Sequence, residues 1–519
     1  MGILAFAPLS TTSIAAPRRK TALHQKRLLN ASRRTKILAI GAGGLQRALT
    51  HEFVHILNQR HLYDGGIFVG QPRGTEKADA LNRQHGVYHV VTFDVEGIHD
   101  IRQVSSVVGA TTLATEAGRE RFYAQTRNPL ELVLIGVTEA GIAKGELAMD
   151  VLNETLHRYF SHHGADATLA VINTDNLRNN GDVIRDMLRN EYPRRSNAYA
   201  GWLETNVGFL NEMGDRLVPQ VYAVPEDIQT EARERIGIPD ELITYAEKMP
   251  AKPLILEDPG DRLRVPFGAL EDFGVIVTQE SIEPHHDWKL LLVNSVHVPG
   301  ITHKGMLAGI EYVNEAAVHP TFAPHLERLM AGYAEIVQAD IPIAGQSASA
   351  YTREFIERIR RIKDDNARIN IIETVKLRER AADIVTSPNY ASATEQFKTD
   401  FAYSFATVLR FLTPHDIAGD RPPRYSGITD MGETYEIRDA DRTIQNVLSG
   451  AFGTELADVE SRLAAIFSDA TLWTPPGSAG EVRLSQNRDF SRRAAQFYHQ
   501  LVNGKSCLEV LEAINQQAK

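Results

Sequence analysis

The stretch KILAIGAGGLQRAL, at residues 36–49, carries the strongest fold signal in this chain. Its apolar run ILAI is typical of a buried strand, a glycine-rich turn follows at residues 41–44, and LQRAL begins a segment with helical spacing. In this order, the glycine backbone and the free helix N-terminus can receive a pyrophosphate. The stretch therefore predicts a dinucleotide-binding unit, with a plain tight turn as the alternative.

The glycine turn matches the pattern G-x-G-x-x-G only in part. Gly41 and Gly43 take the first two glycine positions, whereas Gln46 stands at the third. We expect Gly41, Gly43 and Gly44 to lie against the cofactor, together with Arg47 in the following helix.

Apolar runs with polar ends continue along the first half of the chain. We predict strands in GGIFVG (65–70), ELVLIGVTEAG (131–141), ATLAVINTDN (167–176), LVPQVYAV (217–224) and GVIVTQ (274–279). The segment LQRALTHEFVHILNQ, residues 45–59, is expected to form the first helix. Strands that alternate with helices favour a parallel sheet, with its chemistry at the carboxyl ends of the strands.

The pattern changes after about residue 287, where long segments with helical spacing dominate. The predicted fold class is therefore α/β followed by all-α. A Rossmann-type, parallel-sheet domain is expected over residues 36–286, and a mostly helical domain over residues 287–519. Two large domains also suit a chain of 519 residues, which exceeds what one hydrophobic core usually serves.

Composition limits the kinds of partner. The net charge of −10 disfavours nucleic acid or an anionic membrane as the main partner. No apolar stretch approaches the roughly 20 residues of a membrane helix. The single cysteine, Cys507, excludes an intrachain disulfide and is expected to be a packed thiol. We expect a small-molecule substrate and a monomer or small homo-oligomer.

Residues 1–35 form a basic segment, and no Asp or Glu precedes Glu52. We expect a disordered basic tail on a cytoplasmic protein. An Arg- and Ser-rich segment without acidic residues also fits an organellar transit peptide, which stays open as the alternative.

Polar residues at the strand ends are candidate cofactor contacts. The carboxylate that binds the adenosine ribose is missing after GGIFVG, and Arg73 follows instead. Arg73 either contacts the 2′-phosphate of NADP or lies over the adenine. Thr138 and Glu139 are placed to touch the nicotinamide or its ribose, or else to cap a helix. Asn176 either points its amide into the cleft or belongs to an Asx-rich turn.

A rival motif lies on the first helix. His51, Glu52 and His55 fit H-E-x-x-H, and His61 has the spacing of a third zinc ligand. Two histidines one turn apart can bind zinc, with the glutamate as base. Asn58 stands where glycine is usual, however, and the helix follows a strand on which its apolar face should pack. We favour a structural helix and keep a zinc hydrolase as an alternative.

The run WKLLLVNSVH, residues 288–297, holds candidates for alcohol chemistry. Oxidation of an alcohol needs a base, and a lysine with a usual pKa of ~10.4 becomes one when burial lowers that pKa. Lys289 stands beside the apolar LLLV, Asn294 can join Asn176 as an oxyanion donor, and His297 shares a helical face with Asn294. The alternative is a solvated lysine with a helix-capping asparagine.

Six segments, in order, resemble the polyol-specific long-chain dehydrogenase/reductase family, which includes mannitol dehydrogenases and fructuronate and tagaturonate reductases. They are GAGGLQRA (41–48), ALNRQHGVY (80–88), TEAGI (138–142), TDNLRNNGD (174–182), NEMGDRLVP (211–219) and KLLLVNSVH (289–297). The resemblance covers residues 36–337 and is weaker beyond them.

The resemblance implies a metal-independent active site that uses NAD or NADP. It implies that Lys289 is the general acid/base, that Asn176 and Asn294 are the oxyanion pair, and that His297 positions substrate. Asp215 matches an aspartate that contacts substrate or orders the site. For the family's substrate arginine, Arg358, Arg360 and Arg361 are all candidates.

Two departures from the family pattern leave the substrate open. Gly214 stands where the family usually has valine, and NSVHVPG (294–300) replaces N-G-x-H-S. The expected activity is interconversion of a secondary alcohol and a ketone on a linear polyol or sugar acid, as between mannitol and fructose or mannonate and fructuronate. A catalytically silent dinucleotide-binding homologue is the alternative.

Overall fold

The computed structural model describes residues 33–136, 141–174, 177–193, 195–419, 423–439, 441–475 and 480–518. The chain forms two compact units, which divide in sequence between Ile282 and Glu283. The expected boundary after residue 286 falls within the helix Glu283–Trp288.

The first unit contains eleven strands in its described part. They are β1 (Thr35–Ile40), β2 (Gly66–Gln71), β3 (Tyr88–Asp94), β4 (Gly97–Val104), β5 (Val107–Thr112), β6 (Leu132–Ile135), β7 (Leu169–Asn173), β8 (Val207–Gly214), β9 (Thr244–Ala246), β10 (Leu254–Glu257) and β11 (Val275–Thr278).

Eight of these strands form one sheet, in the order β11-β10-β8-β7-β6-β1-β2-β5. The pairs from β8 through to β5 are parallel, whereas β10 pairs with β8 in the antiparallel direction. Because the strand order reverses between β1 and β6, their carboxyl ends form the crevice where such sheets bind ligands. A second sheet has the order β4-β3-β9.

Helices cover both faces of the large sheet. Along β1, Ile37 and Ala39 pack into one hydrophobic cluster, and Leu38 and Ile40 pack into another. This alternation is expected of a strand that is buried on both faces. The α-helices are Gly44–Ala48, Thr50–Gln59, Glu76–Arg83, Glu116–Tyr123, Leu147–His163, Asn180–Asn190, Asn197–Thr205 and Glu226–Ile236.

Two predictions for the first unit are wrong in detail. The segment LQRALTHEFVHILNQ forms two helices, because Leu49 has φ −129° and ψ −88°, which are not helical values. The segment LVPQVYAV is not a strand. The chain leaves the sheet at the end of β8, Pro219 has no N–H to donate to a neighbouring strand, and only a 3₁₀ turn forms, at Val221–Ala223.

The second unit is mostly helical. Its α-helices are Glu283–Trp288, Thr302–Leu307, Val313–Val318, Phe322–Asp340, Ala348–Arg361, Asn366–Ile369, Glu373–Leu377, Asp383–Thr386, Glu395–Phe411, Thr443–Leu448, Leu456–Ser468, Ala470–Trp473, Arg488–Val502 and Cys507–Gln517. Wider π-helical segments occur at Lys289–Asn294, Val296–Ile301 and Arg378–Ala382. None of the helices in the described ranges combines the length and apolarity of a membrane span.

A small antiparallel sheet interrupts this helical unit, which the sequence pattern did not predict. Its strands are β12 (Asp416–Ala418), β13 (Arg424–Ile428) and β14 (Thr434–Glu436). The strands are too short for a recognisable alternation of apolar and polar residues. The Tyr435 ring stacks on Phe411 with their centroids 4.6 Å apart, so a long-range contact anchors the sheet to a helix.

The H-E-x-x-H motif has a structural role in the helix Thr50–Gln59. Both histidines and Glu52 are buried. One Glu52 oxygen lies 2.6 Å from Arg216 Nη1, and the other lies 3.0 Å from Arg102 Nη1. Arg216 also donates to the carbonyls of Ala48 and Glu247. The carboxylate that a zinc hydrolase would use as base therefore holds two buried or half-buried arginines, which argues against that alternative.

Replacing Glu52 should therefore reduce stability. In Glu52→Gln, Arg216 would keep its charge in a buried site without its partner, which typically costs 3–5 kcal/mol. We expect the free energy of unfolding to fall by about 3 kcal/mol or more, measured by urea denaturation followed by circular dichroism. The exposed Glu234→Gln is the control. Equal denaturation curves for the two variants would contradict a structural role for Glu52.

Candidate functional site

The glycine turn lies across the carboxyl ends of three strands. Gly41 has φ +126°, and a Cβ there would lie 2.8 Å from Gly136 O, which follows β6. Gly41 N donates to Gly70 O in β2 over 2.8 Å. Only glycine suits this backbone angle and this close approach.

Gln46, which replaces the third glycine of the motif, completes this turn. With its amide oriented to satisfy both neighbours, Gln46 donates to Gly41 O over 3.0 Å and accepts from Gly136 N over 3.1 Å. The side chain is 2% exposed. At the position of the motif's third glycine, the Gln46 side chain thus joins the helix to the ends of β1 and β6.

The next two glycines have different surroundings. A Cβ at Gly43 would have no atom of the described residues within 4 Å, whereas one at Gly44 would lie 3.0 Å from Val218 Cγ1. Gly43 therefore borders open space beside the start of the helix Gly44–Ala48. A bare backbone at the crevice between β1 and β6 fits the pyrophosphate of a dinucleotide.

Arg47 is committed to the interior of the first unit. Its Nη1 donates to Leu242 O over 2.5 Å, and its carbonyl accepts from the Tyr88 hydroxyl over 2.9 Å. Burial lowers the pKa of the Arg47 guanidinium, while Tyr88 and Asp240 favour the charged form. These contacts give Arg47 an anchoring role, and a contact with cofactor stays a prediction.

A carboxylate directly after β2 would favour NAD. This chain instead has the cations Arg73 and Lys77 in that region. Gln71, the last residue of β2, is buried, and its amide donates to Arg73 O over 2.5 Å and accepts from Ala78 N over 2.8 Å. Arg73 itself is exposed, and in the described ranges its guanidinium forms no hydrogen bond or ion pair. Lys77 stands in the first turn of the following helix, and burial and Arg47 lower its pKa.

Three predicted residues, Thr138, Glu139 and Asn176, lie outside the described residues. The described neighbour Asn180 joins β7 to β8, because its Nδ2 donates to Asn173 O over 3.1 Å and its Oδ1 accepts from Glu212 N over 2.9 Å. Asp215 directly follows β8 and is 7% exposed.

In the second unit, Lys289, Asn294 and His297 lie on one helical run at residues 289–301. Its first part, Lys289–Asn294, is π-helical. In a π-helix the backbone hydrogen bonds join residues five apart, so Lys289 and Asn294 lie one above the other. The same separation in an α-helix would place them about 140° apart around the axis. The π-helical geometry therefore places Lys289 and Asn294 nearer to one side of the axis than an α-helix would.

Lys289 is 4% exposed, so the burial expected beside LLLV is present. Asn294 is half-buried, and its carbonyl accepts from Arg380 Nη1 over 3.1 Å. The neighbouring Ser295 hydroxyl donates to Arg380 O over 3.2 Å. Arg380 thus fixes the backbone that carries the Asn294 amide.

His297 is held as a neutral ring. Burial, followed by the cations Arg380, Arg368, Lys376 and Arg358, lowers its pKa to about 3. Its Nδ1 is buried and has no hydrogen-bond partner in the described ranges. The ring meets Phe355 edge to face, with centroids 5.5 Å apart. A neutral imidazole with an unused nitrogen suits a hydroxyl group of a ligand.

The predicted substrate arginines differ in their surroundings. Arg358 lies over the Phe355 ring at 5.0 Å, in the neighbourhood of His297. Arg360 forms ion pairs of 2.6 Å with Glu327 and Glu357, and Arg361 is exposed at the end of its helix. Sequence reasoning missed Arg368, Lys376 and Arg380. The spacing of Lys376 and Arg380, four residues apart, was the available signal.

A buried polar chain, also missed, supports the end of the same run. Lys304 is fully buried, and its Nζ donates to the carbonyls of Pro299 and Gly300 over 2.9 and 2.6 Å and to Ser404 Oγ over 3.0 Å. Burial lowers the pKa of Lys304 to about 7. Ser404 meets His325, whose other nitrogen lies 2.8 Å from Asp400.

Comparison with known proteins relates both units to one family. A family model described as the mannitol dehydrogenase Rossmann domain matches residues 35–250, and one described as the mannitol dehydrogenase C-terminal domain matches residues 281–469. A mannitol 2-dehydrogenase of Aspergillus terreus is 26% identical over 469 residues, which are 83% of this chain and 86% of that protein. An altronate oxidoreductase of Bacillus subtilis is 25% identical over 414 residues, covering 75% and 82%.

Solved structures share the fold. Pseudomonas fluorescens mannitol 2-dehydrogenase, in a ternary complex with NAD and D-mannitol, gives a TM-score of 0.71 at 19% identity and covers 94% of this chain and 96% of its own. A D-sorbitol dehydrogenase in substrate-free form gives 0.68 at 20% identity, covering 93% and 96%. The predicted fold class and the resemblance are confirmed. By both of its domains, the chain belongs to the mannitol dehydrogenase family of oxidoreductases.

Proposed function

We propose that this chain uses NAD or NADP to interconvert a secondary alcohol and a ketone on a linear polyol or sugar acid. The observation that carries the proposal is the buried Lys289 one π-helical turn from Asn294, in a chain whose two domains both match the family. The relatives named mannitol 2-dehydrogenase and altronate oxidoreductase suggest these two substrate classes.

Lys289 is the proposed acid/base. When the alcohol is oxidised, the carbinol oxygen loses its proton to Nζ of neutral Lys289 as the carbon loses a hydride. In the reverse direction, the Lys289 ammonium returns the proton to the ketone oxygen. Lys289 is buried, and burial disfavours the charged ammonium, which supports its role as a base.

Asn294 is proposed to stabilise the charge that develops on the substrate oxygen. An amide is a hydrogen-bond donor at any pH, and Arg380 holds the Asn294 backbone in place. By resemblance, Asn176 is the second donor. His297 is neutral, and its Nδ1 has no partner among the described residues, so it is proposed to bind a neighbouring substrate hydroxyl. Asp215 is proposed to order the site or contact substrate.

The first unit is proposed to hold the cofactor, which supplies the hydride acceptor or donor when bound. Gly41, Gly43 and Gly44 would present backbone to the pyrophosphate. Arg73 would contact a 2′-phosphate or the adenine, and Thr138 and Glu139 would lie near the nicotinamide.

A silent homologue would bind the dinucleotide in the same way without turnover. Nicotinamide absorbance, measured with both cofactors and a panel of hexitols, pentitols, aldonates and ketouronates, distinguishes an active oxidoreductase from a silent homologue.

Gly43→Ala should weaken cofactor binding without unfolding the protein. The added methyl group meets no described atom within 4 Å, but it would occupy space that the pyrophosphate needs. We expect the dissociation constant for NADH or NADPH to rise about tenfold or more, which is 1.4 kcal/mol or more. Fluorescence titration measures it, with an unchanged melting temperature as control. Unchanged affinity would support a plain tight turn.

Lys289→Ala should remove at least about 99% of turnover, because general acid–base catalysis contributes roughly 10²–10⁴-fold. Cofactor affinity should be preserved. The control is Lys505→Ala, an exposed lysine in the same unit. Steady-state kinetics with the best substrate of the panel give the comparison, and turnover equal to that of wild type would exclude Lys289 as the acid/base.

Asn294→Ala should raise the activation barrier by roughly 2.7–4 kcal/mol if the amide is an oxyanion donor. We expect kcat to fall accordingly with little change in the melting temperature. A variant that loses thermal stability and keeps its kcat would instead show that Asn294 only supports the helix.

A further inference from the structure

The buried polar chain that meets the end of the helical run at residues 289–301 begins at Lys304. The Nζ of Lys304 donates to the carbonyls of Pro299 and Gly300 over 2.9 and 2.6 Å, and to Ser404 Oγ over 3.0 Å. Lys304 is 0% exposed. It therefore does not touch a substrate, and a role in the reaction has to pass through the backbone that it binds.

Three further side chains continue the polar chain from Lys304 towards the surface. Ser404 Oγ lies 3.0 Å from His325 Nε2, and His325 Nδ1 lies 2.8 Å from Asp400 Oδ1. Arg328, whose side chain is 27% exposed, donates to both oxygens of Asp400. The polar chain thus joins three helices of the second unit and ends at a half-buried cation.

The same connectivity suggests a second interpretation, which the surroundings exclude. A serine, a histidine and an aspartate in this order form the nucleophilic triad of many hydrolases. Here the Ser404 oxygen accepts from Lys304, and Ser404 is 0% exposed, so no substrate reaches its hydroxyl. The polar chain is therefore a support for the helical run and not a second active site.

One arrangement of protons satisfies every member of the polar chain. The Lys304 ammonium donates to the two carbonyls and to the Ser404 oxygen. The Ser404 hydroxyl then donates to His325 Nε2, and His325 Nδ1–H donates to Asp400. Burial lowers the pKa of Lys304 to about 7 and the pKa of His325 to about 4, so Lys304 holds the proton in preference to His325. Charge-assisted hydrogen bonds to both carbonyls are the result.

The two anchored carbonyls directly follow His297 in the chain. Between them and His297, Val298 leaves helical geometry, with φ −132° and ψ 116°. A Cβ on Gly300 would lie 2.6 Å from Ser295 O, so the backbone packs tightly at this point. The place of the His297 ring therefore depends on where Lys304 holds residues 299 and 300.

We propose that Lys304 is a positioning residue for the reaction, which orients the imidazole of His297 through the carbonyls of Pro299 and Gly300. The inference rests on the proposed function, in which His297 binds a substrate hydroxyl. His297 Nδ1 forms no hydrogen bond with the described residues, so the backbone and the contact with Phe355 orient the ring.

The test is a double-mutant cycle between Lys304 and His297, measured by steady-state kinetics with the best substrate of the panel. Lys304→Met removes the ammonium with little change in side-chain length, and it is measured alone and together with His297→Ala. Ser404→Ala is a milder second variant, because it removes one acceptor of Lys304 and alanine suits a helix. Thr413→Val is the control, since it removes a fully buried hydroxyl of the same unit that hydrogen-bonds Tyr498.

We expect Lys304→Met to raise the substrate KM about 3- to 10-fold, as loss of one neutral hydrogen bond would, while kcat changes less than about threefold. His297→Ala should have an equal or larger effect on KM. Because Lys304 acts through His297, the double variant should match His297→Ala within about twofold. Ser404→Ala should raise KM by a smaller factor, and Thr413→Val should match wild type.

Histidine NMR gives a readout that does not depend on turnover. The protein is isotopically labelled at histidine Cε1, and the resonance that disappears in His297→Ala identifies His297. Lys304→Met should shift this resonance by clearly more than Thr413→Val does, because only Lys304 is bound to the backbone beside His297.

Three kinetic outcomes would overturn the inference. If the losses of Lys304→Met and His297→Ala multiply in the double variant, the two residues act independently. An unchanged substrate KM in Lys304→Met would show that the run keeps its position without the ammonium. A fall in kcat at constant KM would place the effect at another group. If Lys304→Met does not fold, Ser404→Ala, alone and with His297→Ala, decides in the same way.

Failure of the proposed function is recognised separately. If wild type turns over no compound of the panel, the NMR comparison replaces the kinetic cycle. A shift of the His297 resonance in Lys304→Met would then keep Lys304 as the residue that orients His297, although the proposed activity would be rejected. An unchanged resonance would reject the positioning role as well.

Discussion

The candidate catalytic groups depend on how the backbone carbonyls of residues 294–300 are satisfied. The run is wider than an α-helix, and Val298 departs from helical geometry, so carbonyls here accept hydrogen bonds from side chains. Arg380 binds that of Asn294, the Thr302 hydroxyl binds that of His297, and Lys304 binds those of Pro299 and Gly300. The groups that satisfy this backbone thereby also fix the side chains proposed to meet substrate.

The first unit meets an analogous constraint at its glycine turn. At the ends of β1 and β6, a Cβ on Gly41 would lie 2.8 Å from Gly136 O, and the Gln46 amide hydrogen-bonds both glycines. Behind this turn, the buried pair of Glu52 and Arg216 ties the next helix to the end of β8. A motif that resembles a zinc site therefore helps to hold the helices that follow the glycine turn.

Buried ionisable groups in this protein serve structure as often as chemistry. Lys304, Ser404, His325 and Asp400 form a continuous hydrogen-bonded chain, and all four are fully or almost fully buried. Because an unpaired buried charge is costly, such a chain fixes one arrangement of the helices that contribute to it. The half-buried His297 differs from them, because its Nδ1 has no hydrogen-bond partner among the described residues.

The sequence alone determined the fold class and the family, because strand, glycine turn and helix follow from local periodicity, and because the ordered motifs are themselves strings of residues. It also placed Lys289, Asn294 and His297 on one run. Only the tertiary structure decided the break at Leu49, the sheet β12-β13-β14 and the gathering of Arg358, Arg368, Lys376 and Arg380 around His297. These features arise from contacts between residues far apart in sequence, and no local pattern records which side chains will satisfy a distant carbonyl or share its electrostatic field.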